Sequence, residues 1–150
     1  AELAVISERR LELLLNPNIS KLPAFLSPET GLNSGYMAIQ YLAASLVNEN
    51  RLLANPTCID SIPGNVGVED VVSMGMTSAR KLKKIIENTT SVLAIEMLAA
   101  CQAIDLRDVK PLGHGTQKTY NALRAEVAML TKDRILNEDI NRAKAVLTTT

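Results

Sequence analysis

The feature that most constrains this chain is a helical pattern running without a break from about residue 68 to residue 103. At about 1.5 Å per residue, such a helix is on the order of 50 Å long. A compact domain of this length has a radius of gyration of only about 15 Å. Apolar residues surround the second half of the pattern on most sides: Leu93, Ala94, Ile95, Met97, Leu98, Ala99, Ala100 and Cys101. We therefore expect packing partners from outside the chain.

The rest of the chain also favours helix over strand. Hydrophobic residues make up 47% of the sequence and aromatic residues only 3%, so the apolar content is mainly Leu, Ala, Ile, Val and Met. Further helices are predicted at residues 2–15, 36–54, 118–131 and 137–147. Loops are predicted at 19–35, which has enough apolar residues to pack on the body, and at 57–67 and 108–116. The predicted fold class is all-α, a bundle of long helices.

Charge and cysteine content exclude several classes of function. Sixteen basic residues balance 16 acidic ones, which argues against nucleic acid and anionic membrane surfaces as partners. Cys58 and Cys101 lack a CxxC spacing, and a single histidine leaves no metal-ligand cluster. No apolar run approaches the roughly 20 residues of a membrane span, and no signal peptide is visible. We expect a cytoplasmic protein with reduced thiols and no metal.

Two motifs invite a catalytic interpretation that the residues do not support. Asn33-Ser34-Gly35 is similar to the Ala-Ser-Gly triplet that cyclises in some enzymes to form an electrophilic ring. The first position here is asparagine rather than alanine, which argues against this chemistry. We predict instead that Ser34 is the N-cap of the helix that begins near Tyr36. His114 lies between two glycines, where no partner fixes its tautomer, and is predicted to be exposed in a loop.

Three acidic residues have settings that need an explanation. Glu69 and Asp70 would be favoured by the helix dipole if they opened the long helix, by about 0.3–1 kcal/mol each. Glu69 also follows a glycine-containing loop and has apolar neighbours, so it could meet a cationic group of a ligand. Glu96 lies in the most apolar run of the chain, where an unpaired carboxylate costs on the order of several kcal/mol. We predict an ion pair between Glu96 and an arginine or lysine of another helix.

Several short motifs occur in one order along the chain: Ser7-Glu8-Arg9-Arg10, Leu22-Pro23-Ala24-Phe25-Leu26, Asn33-Ser34-Gly35-Tyr36-Met37, Glu49-Asn50, Asp60-Ser61-Ile62-Pro63, Glu69-Asp70, Val72-Ser73-Met74-Gly75, Glu87-Asn88 and Leu98-Ala99-Ala100-Cys101-Gln102-Ala103-Ile104-Asp105. In order and spacing they resemble the histidine ammonia-lyases, a branch of the aromatic amino acid ammonia-lyases. The resemblance is close over residues 1–106 and looser over 107–150.

The resemblance implies an all-helical enzyme considerably longer than this chain, with residues 1–150 as its C-terminal third. It implies a homotetramer with a central bundle of helices from four subunits, and active sites shared between chains. It also implies the cofactor 4-methylidene-imidazol-5-one (MIO), formed from an Ala-Ser-Gly expected upstream of Ala1. No catalytic residue is therefore predicted within the chain. The resemblance further implies that Glu69 is a substrate-binding residue, because it falls at the family's Glu-Asp pair, where histidine ammonia-lyases have an active-site glutamate. A carboxylate at this position can hold an imidazole N–H or the substrate amine.

The chain departs from the family pattern around that residue. The family usually has Thr-Ser-Ala-Asn-Gln before the Glu-Asp pair and His after it, whereas here Gly64-Asn65-Val66-Gly67-Val68 precede and Val71 follows. The leading hypothesis is conversion of L-histidine to trans-urocanate and ammonia. The alternatives are a phenylalanine or tyrosine ammonia-lyase or aminomutase and, from another class, an inert helical oligomerisation module when the chain is isolated.

The start of the chain points to a fragment. Residue 1 is alanine, and a helical pattern begins at once without a cap. Removal of a tag or of an initiator methionine would give the same appearance.

Overall fold

The chain is a bundle of helices in a computed structural model, which describes residues 1–59, 61–107 and 111–149. The helices are α1 (Glu2–Leu15), α2 (Pro17–Ser20), α3 (Met37–Leu53), α4 (Gly75–Arg107), α5 (His114–Glu126) and α6 (Asn137–Thr149). Single 3₁₀ turns lie at Ala24–Leu26 and Asn65–Gly67. No β-strand occurs in the described ranges, so the predicted all-α class is confirmed.

Helix α4 is the centre of the bundle, and α1, α3 and α6 pack on its second half. The core residues of α4 recur at helical spacing: Val92, Ile95, Leu98, Ala99 and Cys101. Residues of the surrounding helices fill the spaces between them: Ala4, Leu11 and Leu15 from α1, Ile39, Ala43 and Val47 from α3, and Ile140 and Ala143 from α6. Within the apolar run at residues 93–101, the same chain buries five residues, Ala94, Ile95, Leu98, Ala99 and Cys101, whereas Leu93, Met97 and Ala100 are half-buried.

The first half of α4 is the part without cover. From Gly75 to Glu87 only Lys81 and Ile85 are half-buried, and the other side chains are exposed. Met76, Leu82 and Ile86 recur along this half and are 68%, 57% and 56% exposed. The most exposed apolar side chains of α4 therefore lie about four helical turns before the run at residues 93–101.

By length and composition, α4 is also apolar enough to cross a membrane, so the expectation that the chain lacks such a segment was too strict. The core helix of a bundle has the same composition, and α1, α3 and α6 surround the apolar half of α4. The second half of α4 is therefore packed as the core helix of a bundle.

The predicted helix limits differ from the structure most at two helices, α4 and α5, and the short helix α2 was not predicted. The long helix begins at Gly75 rather than near residue 68, and α5 begins at His114 and ends at Glu126 rather than spanning 118–131. Residues 108–110 of the predicted connector lie outside the described residues, as does Asp60 of the Asp60-Ser61-Ile62-Pro63 motif. The loop at 19–35 does pack on the body through Leu22 and Leu26, although Leu32 is 86% exposed.

Candidate functional site

The segment that carries Glu69 is a tight loop at residues 61–72, which we call the Glu69 loop. Its two arms are joined by backbone hydrogen bonds between Gly64 and Glu69, from Gly64 N to Glu69 O at 2.8 Å and from Glu69 N to Gly64 O at 3.3 Å. A second tie comes from Ser61, whose Oγ donates to Asp70 O at 2.7 Å and accepts from Val72 N at 3.0 Å. The loop is therefore fastened by hydrogen bonds across its base and its middle.

The tip of the Glu69 loop has an unusual backbone. Asn65 and Val66 have positive φ angles of 49° and 57°, and Gly67 follows at 85°. A left-handed conformation is a real outlier for a β-branched residue such as valine. Strained backbone of this kind occurs often at ligand-binding positions, where the surrounding structure holds it in place.

The side chain of Glu69 is exposed and makes no hydrogen bond or ion pair within residues 1–59, 61–107 and 111–149. Neither Glu69 nor Asp70 lies in the first turn of α4, which starts at Gly75. The helix dipole therefore does not explain these acids, and that interpretation is wrong. What the geometry offers is a fixed backbone that holds a carboxylate free to bind a cationic or N–H donating group.

The surroundings of this carboxylate are apolar. Val66, Val68 and Val71 are 103%, 78% and 84% exposed, and so contact almost nothing within the chain. Five of the best-formed cavities among the described residues are lined by other residues and not by Glu69.

The triplet at residues 33–35 has a structural role. The Ser34 and Gly35 amides donate to the two carboxylate oxygens of Asp133 at 2.8 and 2.9 Å, and the Asp133 amide donates to Asn33 Oδ1 at 3.0 Å. Cyclisation would require the Gly35 nitrogen to attack the carbonyl of Asn33, but that nitrogen is bound to Asp133. The residues present therefore do not fit MIO, as the sequence indicated. Ser34 is not the N-cap, because α3 begins at Met37 without a side-chain cap.

The structure also locates the other residues for which the sequence predicted a role. Glu96 forms the expected ion pair, with Arg10 Nε at 2.5 Å from its Oε1, and it also accepts from Ser7 Oγ at 2.6 Å. His114 is exposed as predicted, but it is the first residue of α5 rather than part of a loop. Cys58 is an exposed free thiol and Cys101 a buried one, and burial raises the pKa of Cys101.

Sequence reasoning missed two arrangements. The first involves Ser61, which belongs to the Asp60-Ser61-Ile62-Pro63 motif. The glycines predict a loop here, but they do not predict that Ser61 pairs with residues 70 and 72. At the end of α4, Asp105 binds Arg124 at 2.6 Å and also accepts from the hydroxyl of Tyr120. These groups cross-link α4 and α5. Within the described residues, no cluster of His, Cys, Asp and Glu could hold a metal ion.

The chain is therefore an all-helical bundle, and it carries an exposed carboxylate, that of Glu69, on an anchored loop. A family model described as aromatic amino acid lyase matches residues 1–125. The chain belongs to this aromatic amino acid lyase family.

Individual relatives agree with that assignment. Over 142 residues, 95% of the chain, it is 53% identical to histidine ammonia-lyase of Alkaliphilus metalliredigens. Among solved structures, it is similar to histidine ammonia-lyase from Trypanosoma cruzi, with 42% identity, a TM-score of 0.93 and 97% of the chain covered. It is also similar to tyrosine aminomutase from Streptomyces globisporus, with 38% identity, a TM-score of 0.91 and 97% covered.

This chain spans only part of each of these relatives. It covers 28% of the Alkaliphilus enzyme, 29% of the Trypanosoma chain and 28% of the Streptomyces chain.

Proposed function

We propose that this chain is the C-terminal part of an ammonia-lyase that converts L-histidine to trans-urocanate and ammonia, and that Glu69 binds the substrate. The observation that carries the proposal is the Glu69 carboxylate, which is exposed and without a polar partner in the described residues, on a loop fastened on both sides of it. The 53% identity to a histidine ammonia-lyase supports the choice of substrate.

The chemistry of a carboxylate suits this role. An ionised carboxylate accepts short, charge-assisted hydrogen bonds from an imidazole N–H or from a substrate ammonium group. Such a bond orients a polar ring in a way that the neighbouring valines cannot. We therefore assign Glu69 to binding and orientation, with the chemical step performed by groups outside this chain.

The electrophile must also come from elsewhere. Because residues 33–35 do not fit MIO, we propose that an Ala-Ser-Gly upstream of Ala1 in the complete enzyme forms this group. The isolated chain is then catalytically inactive. Ammonia release from the purified 150-residue chain would contradict this part of the proposal.

Substitution of Glu69 in the complete enzyme tests the central claim. Glu69→Gln keeps the shape of the side chain but removes its charge, and it should lower kcat/KM for L-histidine by roughly 10- to 100-fold. Glu126→Gln, at an exposed glutamate on the last turn of α5, is the matched control and should leave kcat/KM unchanged. Equal kinetics for the Glu69 variant and the unmodified enzyme would exclude the proposed contact.

A second candidate function is favoured by the three exposed valines around Glu69 and by the similarity to a tyrosine aminomutase. An apolar loop suits a phenyl or phenol ring better than an imidazole. Product analysis of the complete enzyme separates the alternatives. Urocanate supports the first, cinnamate or coumarate a phenylalanine or tyrosine ammonia-lyase, and a β-amino acid an aminomutase.

We further propose that the complete enzyme is a homotetramer and that the exposed first half of α4 lies in its interface. Met76, Leu82 and Ile86 give that half an apolar stripe that water would otherwise contact. In isolation, the chain would then act only as a helical oligomerisation module. A cytoplasmic location is proposed because both cysteines are unpaired thiols.

A further inference from the structure

The hydroxyl group of Ser61 is the polar link across the base of the Glu69 loop. It donates to the carbonyl of Asp70 at 2.7 Å and accepts from the amide of Val72 at 3.0 Å. These partners lie nine and eleven residues further along the chain. One side chain therefore fixes the backbone of the returning arm next to Glu69.

The backbone on both sides of Glu69 is held by these contacts together with the pair to Gly64. Gly64 binds the amide and the carbonyl of Glu69 at 3.3 and 2.8 Å, and Ser61 binds the carbonyl of the next residue. Because these peptide groups are fixed, Glu69 can move mainly by rotation about its side-chain bonds. The position of the carboxylate then depends on the hydroxyl of Ser61.

Apolar packing does not replace this tie. Ile62, Val66, Val68 and Val71 are all at least 67% exposed, so within this chain the Glu69 loop buries little apolar surface. A loop with so few buried contacts moves easily unless hydrogen bonds restrain it. Ser61 itself is half-buried, and its hydrogen bond from the Val72 amide is partly buried, whereas its bond to the Asp70 carbonyl is exposed.

We propose that Ser61 is a positioning residue for the reaction, which acts by holding the Glu69 carboxylate where the substrate meets it. This inference rests on the proposed function. A misplacement of about 1 Å in a binding group can reduce turnover by roughly 100-fold, so loss of the tie should be measurable.

The test is a double-mutant cycle in the complete enzyme with L-histidine as the substrate. Ser61→Ala removes the hydroxyl and should lower kcat/KM by about 10-fold, with the same split between kcat and KM as Glu69→Gln. Ser61→Thr retains a hydroxyl and should restore at least half of the lost kcat/KM. The control is Ser73→Ala, because the Ser73 side chain is exposed and makes no hydrogen bond in the described residues.

The decisive measurement is Ser61→Ala in the Glu69→Gln background. If Ser61 acts through Glu69, the double variant should lie within about twofold of Glu69→Gln alone. A further tenfold loss would overturn the proposal, because Ser61 would then act independently of Glu69. An unchanged kcat/KM for Ser61→Ala beside an impaired Glu69→Gln would overturn it too, while leaving the proposed function intact.

If Glu69→Gln itself has no effect, the proposed function fails first. If Ser61→Ala does not fold, a Ser61→Thr variant that folds but is as impaired as Glu69→Gln counts against the proposal.

Discussion

Ser7 on α1 donates a 2.6 Å hydrogen bond to the Glu96 carboxylate on α4, at a contact where Arg10 also binds the same carboxylate. Ser7 is 0% exposed, and Glu96 retains only 18% of its side-chain surface. The sequence predicted a basic partner for Glu96. The structure shows that partner, Arg10, and a second one, the buried hydroxyl of Ser7. Two helices that are far apart in the chain are joined here by polar as well as apolar contacts.

Ser7→Ala should lower the free energy of unfolding by about 2 kcal/mol, because a buried hydrogen bond to a charged group is lost. Urea unfolding followed by circular dichroism measures this change. Ser45→Ala, at an exposed position on α3, should change it by less than about 0.5 kcal/mol. Equal effects of the two substitutions would show that the bond to Glu96 contributes nothing.

Gln102 is a fully buried polar clamp, and its replacement should be among the most costly in the chain. Its amide group donates to Leu26 O at 3.1 Å and Leu130 O at 2.8 Å, and its carbonyl accepts from Leu130 N at 3.0 Å. Gln102→Leu should lower the free energy of unfolding by about 3–5 kcal/mol, because three buried backbone groups lose their partners. Gln102→Glu should cost at least as much, since a carboxylate would face two carbonyl oxygens. A well-tolerated Gln102→Leu would contradict this account.

Residue 35 must be glycine for two reasons, its left-handed backbone conformation and the lack of room for a side chain. Its φ is +57°, and a Cβ at this position would lie 2.6 Å from the carbonyl oxygen of Phe25. Gly35→Ala should therefore lower the free energy of unfolding by about 2–4 kcal/mol. Gly31→Ala isolates the conformational part, because φ there is +97° with nothing within 4 Å, and it should cost about 1 kcal/mol. Thermal unfolding of the two variants measures both effects, and a Gly35 variant no worse than the Gly31 variant would exclude the steric contribution.

Asp133 makes the anchoring of residues 34 and 35 sensitive to acid. Hydrogen bonds from two backbone amides, the larger effect from Ser34 and the next from Gly35, lower the pKa of this carboxyl below its ordinary value of 3.8. The pKa of Asp133 is lower in the folded chain than in the unfolded chain. The ionised carboxylate therefore stabilises the fold fully above pH 3.8, and this stabilisation is lost as the pH falls through the folded-state pKa. Asp133→Asn should therefore lower the urea midpoint at pH 6, and the gap to the unmodified chain should close as the solution is acidified. A gap that is the same at pH 6 and pH 2 would show that the charge on Asp133 is not responsible.

The exposed stripe on α4 predicts a change in assembly. Leu82→Lys with Ile86→Lys places two charges on that stripe and should lower the molar mass of the complete enzyme in light scattering. Ile135→Lys is the control, at a residue that is 83% exposed outside α4, and should leave the mass unchanged. An unaltered mass in the double variant would remove this half of α4 from the interface.

The helices were the part of the fold most accessible from sequence. Helix α1 was predicted with its observed limits, and α3 within one residue at each end, because spaced apolar residues and the stops at Asn16-Pro17 and Asn55-Pro56 are local signals. The predicted start of α4 was wrong, because Glu69 and Asp70 resemble the acids of a helix's first turn, whereas Ser61 binds the backbone of Asp70 and Val72. Met74, at φ 51°, then separates this segment from the helix.

The candidate site was only partly predictable for the same reason. Glu69 could be selected from its sequence context, whereas the hydroxyl that holds its loop became visible only when residues 61 and 70 were brought together. The predicted cap Ser34 failed in a similar way. Its amide is bound by Asp133, which is 99 residues away in the chain.

The construction of the Glu69 loop has a consequence for how relatives of this chain diverge. Hydrogen bonds to backbone groups and one serine hold the loop, and its valines bury almost nothing in the chain. Replacing Val66, Val68 or Val71 therefore removes few contacts and places little strain on the bundle. Relatives of this chain should therefore be able to differ at these three positions without loss of stability in the helices that carry the loop.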